Sequence, residues 1–242
     1  MIKMDLRFDT IRKRMLLAVP AMILCMIGDY CIGIEPSDSK ALNDIVSSGW
    51  LEISDQRIAV SNITGALGCV LYAVAAVAFI QLLMAQNSNN ESKADRTWLR
   101  LFYAGLGTGC VSFMYFHIAC GGLIQHFNVL YEAVGGDVDK ATKLWIRMFL
   151  VEAAPFALFF VAFDVVTTIC WIALIIRKTI PLSNLWILAA PLVTAGIGQL
   201  LEFIPLPFAG IGSGFESLGW LLMFIGGVKY SDSCKIGNKK IS

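Results

Sequence analysis

The chain has 242 residues, 57% of them hydrophobic and 15% charged, with a mean hydropathy of +0.70 and a formal net charge of +1. That balance excludes disordered, collagen-like, coiled-coil and disulfide-scaffold proteins, and it offers neither a nucleic acid nor an acidic partner a field to bind. It describes an all-α polytopic membrane protein, a helical bundle forming one membrane domain over residues 1–242, whose first partner is the lipid bilayer.

A hydrocarbon core of ~30 Å needs ~20 apolar residues per helix. Six runs bounded by charge meet that length, at about residues 15–34, 58–85, 101–125, 148–176, 185–204 and 211–228. They are continuously apolar and lack the alternation of barrel strands, so helices are expected. Ahead of the first run, residues 2–14 read as a short basic amphipathic helix on the inner surface, with Ile2, Leu6 and Ile11 inward. Arg12, Lys13 and Arg14 also suit the charged start of a signal peptide, but no Ala-x-Ala-like site follows, which favours an uncleaved anchor.

The connections are short. Residues 35–56 hold the turn-prone Glu35-Pro36-Ser37-Asp38, a mildly amphipathic stretch with Ala41, Leu42, Ile45 and Val46, and Trp50 where an interfacial anchor would sit. Small residues mark helix contacts: Gly65 with Gly68 and Cys69 in the second run, and a Gly-x-x-x-Gly pair, Gly105 and Gly109, in the third. Residues 87–90 form a polar inner loop, and Gly135, Gly136 and Asp137 mark a turn. Pro155 and Pro191 are expected to kink the fourth and fifth helices, and Gly212, Gly214 and Glu216 interrupt the start of the sixth.

Orientation follows from the basic residues. With residues 1–14 and 229–242 as cytoplasmic tails, fourteen of the nineteen lysines and arginines fall on the inner side, which places both termini in the cytoplasm of a cell-membrane protein.

Seven cysteines give no disulfide framework. Cys25, Cys69, Cys110 and Cys170 read as small apolar fillers, and Cys31 and Cys120, near outer helix ends, form the one pair placed to meet. With only His117 and His126, a multi-histidine zinc site is impossible, and no His-Glu-x-x-His motif is present, so neither a metal nor a cofactor is expected.

Ionisable side chains inside a bilayer are costly and usually face the bundle or a water-filled cavity. Asp29, Asn62, His117, Glu152, Gln199, Glu202 and Glu216 all fall in the outer halves of their helices. Together they form a slab ~3–12 Å beneath the outer boundary at ~1.5 Å per residue. Two readings compete: residues scattered among headgroups, or an outward-facing acidic pocket. Aromatic neighbours Phe113, Tyr115, Phe116, Phe156, Phe159 and Trp220 would give such a pocket walls suited to a small cationic, amphipathic or lipid-like ligand. Against the pocket, a histidine such as His117 is commonly just a hydrogen-bonded ring within a bundle. Asp164, near mid-span of the fourth run, is the one deep exception, an inward relay or a carboxyl held protonated.

Gly28-Asp29 closing the first helix, an acidic first loop, and Ser54-Asp55-x-Arg57 leading into the Gly65-x-x-Gly68 helix resemble an uncharacterised family of bacterial six-helix integral membrane proteins, a domain of unknown function. The resemblance implies a bacterial cytoplasmic membrane and brings no activity or site residues. A looser likeness, to the emopamil-binding and sigma-2 receptor group, rests on carboxylates and aromatics in a membrane pocket. Three functions stay open: a ligand-binding membrane protein, an intramembrane lipid isomerase or hydrolase using His117 with a carboxylate, and a small-molecule or ion transporter. The shared leaflet of all the polar residues counts against a carrier built from inverted repeats, which would exchange leaflets between halves.

Overall fold

A computed structural model describes residues 2–86 and 92–240, apart from the side chains of residues 2–7, 152, 153, 155 and 235–240. The inner loop expected at 87–90 lies outside the described residues. Eight α-helices carry the fold: α1 (Ile2–Met15), α2 (Ala18–Gly33), α3 (Asp55–Gln86), α4 (Lys93–Ala133), α5 (Val138–Ala157), α6 (Val166–Ile176), α7 (Pro191–Leu201) and α8 (Phe215–Lys240). Five helical stretches are long and apolar enough to cross a membrane, Phe8–Gly33, Asp55–Gln86, Lys93–Ala133, Leu158–Ile176 and Ile211–Cys234.

Proline and glycine set where the helices break. Pro20 has no N–H to give to Leu16, and its ring crowds that carbonyl, so the chain turns at residues 16–17 and separates the basic α1 from the apolar α2. Ile11 of α1 is buried as the amphipathic pattern requires. The fifth apolar run is not one kinked helix. Pro191 holds the preceding Ala190 in the extended region (φ −68°, ψ 133°) and occupies the first turn of α7, where its missing N–H has no helical partner to lose. A 3-10 segment, Asn184–Ala189, precedes it, and α7 has only 11 residues, too few to cross alone. Pro155 does not end its helix: α5 continues without interruption into a π-helical segment, Leu158–Val165, and then α6. The glycines at the start of the sixth run form a 3-10 turn, Ile211–Gly214, before α8.

Side chains then tie the elements at each end. Arg12 of α1 donates from Nε to Asp232 of α8 at 2.9 Å, so the two terminal helices meet at one end of the bundle. At the other end Arg57, in the first turn of α3, donates to the carbonyls of Cys31 and Ile34 at 2.7 and 2.6 Å. A guanidinium there satisfies carbonyls left open by the end of α2 and meets the negative end of its dipole. The loops after α2 and α7 pair as a two-stranded antiparallel sheet, β1 (Glu35–Pro36) with β2 (Phe208–Ala209). Gly135 and Gly136 turn α4 into α5 with positive φ, as the Gly-Gly-Asp sequence requires. Asp137 follows, and its carboxyl is held below its ordinary range by the hydrogen bond from Lys140.

The core is aromatic. Tyr72 of α3 is fully buried, donates its hydroxyl to the Leu106 carbonyl at 3.0 Å, and meets Phe113, Phe163, Trp220 and Phe224 edge-on. Edge-to-face rings of this kind add ~0.5–1.5 kcal/mol per pair beyond their burial. Above this layer, towards the Arg57 end, the packing gives way to a cavity.

Candidate functional site

A cavity of about 370 Å³ opens where α2, α4 and α8 diverge. Its polar wall comes from three helices: Asp29 in the last turns of α2, His117 midway along α4, and Glu216 with Ser217 in the first turn of α8. Phe113 beside His117, with Phe116, and the contacting pair Trp50 and Trp145 supply its aromatic walls. Among the described lining residues no lysine or arginine appears.

Local packing aims each polar group. Gly28 lets α2 close onto α3, where an added Cβ would stand 3.0 Å from Thr64 Oγ1 and 3.1 Å from the Ser61 carbonyl, and Asp29 is thereby turned toward α8. Buried Ser217 donates to Asp29 Oδ2 at 2.7 Å. The other oxygen, Oδ1, stands 3.7 Å from His117 Nε2, beyond a direct hydrogen bond. The imidazole packs against Gly65 of α3, where a Cβ would come within 2.8 Å of its Cγ. Its other neighbour is the Phe113 ring, 5.1 Å away between centroids. A buried imidazole beside a carboxylate, with a second carboxylate and a hydroxyl facing the same space, can pair with a cation or relay a proton.

Of the residues singled out in the sequence, Asp29, His117 and Glu216 share this cavity, while Asn62, Gln199 and Glu202 are not among its described lining. Asn62 packs against Gly121, with its Oδ1 buried and without a partner among the described residues. Glu202 is occupied by backbone, accepting from Gly210 N at 3.0 Å and from Gly212 N, and so fixes the loop before α8. Gln199 is exposed on α7, and the Glu152 side chain lies outside the described residues. Of the aromatics, Phe113 and Phe116 line the cavity, while Trp220 is buried behind it.

Ser217 and Trp145 carried no signal in the sequence, and Trp50 and Cys120 carried a different one. Ser217 is an ordinary small residue until α8 faces it to Asp29. Trp50, expected as an interfacial anchor, instead joins a cluster with Phe127 and Trp145, at centroid distances of 6.0 and 5.7 Å. Trp145 itself is fixed by donating Nε1 to the Leu123 carbonyl at 2.8 Å. Cys120 lines the cavity as a free thiol, as all seven cysteines are free.

A family model described as a family of unknown function, DUF6796, matches residues 1–233. No curated protein and no solved structure matches the chain.

Proposed function

The chain belongs to DUF6796, a family of unknown function, and we propose that it is a multi-pass cell-membrane protein that binds a small amphipathic cation in the cavity between α2, α4 and α8. The observation that carries this reading is the meeting of Asp29, His117 and Glu216, from three separate helices, in one aromatic-walled space without a lysine or arginine among its described lining. Two carboxylates set against so little positive charge attract a cation, and Trp50, Phe113, Phe116 and Trp145 supply apolar surface and ring faces for the rest of it.

The same-shape pair tetraphenylphosphonium and tetraphenylborate tests the charge directly. Titration of the purified protein in detergent, followed by tryptophan fluorescence, should show saturable binding of the phosphonium and none of the borate. Asp29→Asn should weaken phosphonium binding roughly tenfold or more, about 1.4 kcal/mol. Equal binding of both ions, or of neither, defeats the proposal.

The topology that goes with this reading has six crossings, the 3-10 segment Asn184–Ala189 and α7 together making the fifth, with both termini in the cytoplasm. It is supported by the distribution of lysine and arginine and by the Arg12–Asp232 pair that joins the two terminal helices. In intact cells an impermeant thiol reagent should react with Ser37→Cys and Asp139→Cys and spare Ser183→Cys and Ser233→Cys, each measured against the parent protein. Reaction at Ser233→Cys would refute the crossing assigned to Asn184–Leu201.

A second reading, acid–base chemistry on a membrane-dissolved substrate, is favoured by the approach of His117 to Asp29. In that case the wild type turns over its substrate and His117→Gln keeps phosphonium binding but loses that turnover, whereas a protein that only binds shows no turnover in either form.

A further inference from the structure

Behind Glu216, away from the cavity, lies Asp164. It belongs to the π-helical segment between α5 and α6, it is fully buried, and neither of its oxygens has a hydrogen-bond partner among the described residues. Glu216 and, one turn further along α8, Trp220 stand next to it. The Trp220 indole is itself fully buried with Nε1 unpartnered, and its ring stacks on Phe163, the residue before Asp164, at 4.1 Å. A π-bulge inserts one extra residue into a helix and is a frequent mark of functional sites. Here it turns Asp164 into the bundle, beside a donor with nothing else to bond.

The groups facing the pair come from every neighbouring element that carries one. They are Asp29 and Cys25 of α2, Tyr72 of α3 and Cys120 of α4, with His117 next to Asp29. On the remaining packed helices α7 has no titratable side chain, α6 has only Cys170, and α5 presents no charged side chain to the pair among the described residues. Among the described residues no lysine or arginine interacts with either carboxylate. Two like charges in an apolar interior are not both retained.

We propose that Asp164 and Glu216 bind one proton between them at the closed side of the cavity, and that a cation entering the cavity displaces it to the aqueous phase. This rests on the cation-binding reading only in its second half. One side of the pair is sealed, since Asp164 is fully buried, and the other is open to the cavity through Glu216. A cation beside Glu216 supplies the positive charge that the proton supplies in its absence, so the site exchanges one for the other with no net change in charge. The O–H bond of the carboxylic acid breaks, the electron pair stays on the carboxylate, and the proton leaves by the cavity mouth.

The test has two arms, both on the full chain purified in detergent. Infrared spectroscopy at pH 7 should show the carbonyl stretch of a protonated carboxylic acid, which shifts in deuterium oxide and disappears in Asp164→Asn; Glu216→Gln serves as the second variant. Tetraphenylphosphonium should bleach that band in the wild type and release about one proton per cation bound, read by a pH dye in weakly buffered solution. Apparent affinity should then rise ~10-fold per pH unit while the pair is protonated, a dependence that Asp164→Asn abolishes. Absence of a protonated band sensitive to either variant overturns the proton site, whatever the phosphonium does. A band that is present while the phosphonium fails to bind leaves the proton site standing and defeats the cation reading. Binding without proton release defeats the exchange.

Discussion

Gly109→Val should lower the apparent Tm of the purified protein far more than any substitution on the lipid-facing side of the same helix. A Cβ at residue 109 would press on the Phe163 ring and fall 2.6 Å from the Tyr72 hydroxyl. Neither can yield. Phe163 and Tyr72 are both fully buried, the first stacked on Trp220 and the second holding the Leu106 carbonyl and four rings. Overpacking of a dense interior costs ~1–3 kcal/mol per added group, so Gly109→Ala marks the lower end, with a helix-propensity gain of up to ~1 kcal/mol offsetting part of it. Valine adds two further methyls and passes that range. Gly107, two residues away, has no atom within 4 Å of a built Cβ, so Gly107→Ala should be neutral or stabilising by up to ~1 kcal/mol. Thermal unfolding followed by circular dichroism gives both values. Similar Tm values for Gly107→Ala and Gly109→Val would mean that the tight face of α4 is not where the structure puts it.

That contrast shows how far the sequence can be read. The spacing of Gly105 and Gly109 marks a close helix contact, and the structure supplies the partners, Thr167 for the first and Phe163 with Tyr72 for the second. The long apolar runs and the charges that bound them are legible because bilayer thickness fixes their length. The break at Ala190–Pro191 is less so, because a proline inside an apolar run either kinks a helix or begins a new one, and local sequence does not separate the two.

The site divides in the same way. Asp29, His117 and Glu216 stand out because ionisable groups inside apolar runs are rare. Glu202 stands out for the same reason, yet its carboxylate is spent on the amides of Gly210 and Gly212. Depth in a helix says nothing about direction around it. For Asp164 the 100° per residue of a regular helix misleads as well, since the π-helical segment shifts every side chain that follows it. Trp50 and Trp145 are brought together by a 3-10 turn in the first loop and the body of α5, whose meeting no local pattern announces.

Gly65→Ala should displace His117 from its place beside Asp29. The glycine was legible as part of a smooth helix face, but its nearest neighbours are the Cβ, Cγ and Nδ1 atoms of His117, all within 2.9 Å of a built Cβ. The ring must then move from α3 toward Phe113 and the cavity, and the 3.7 Å approach of Nε2 to Asp29 is lost. A stability loss of ~1–3 kcal/mol is expected, together with a fall of tenfold or more in tetraphenylphosphonium affinity, because the displaced ring fills cavity space that His117→Gln leaves open. The cause is tested by repeating the substitution in a His117→Ala protein. With the imidazole gone, the new methyl enters the space it left, so Gly65→Ala becomes neutral or stabilising there, and the difference between the two backgrounds is the coupling energy of the pair. An equal loss in both backgrounds would place the strain in the α3 backbone instead of in the ring, and His117 would then owe its position beside Asp29 to something other than the glycine behind it.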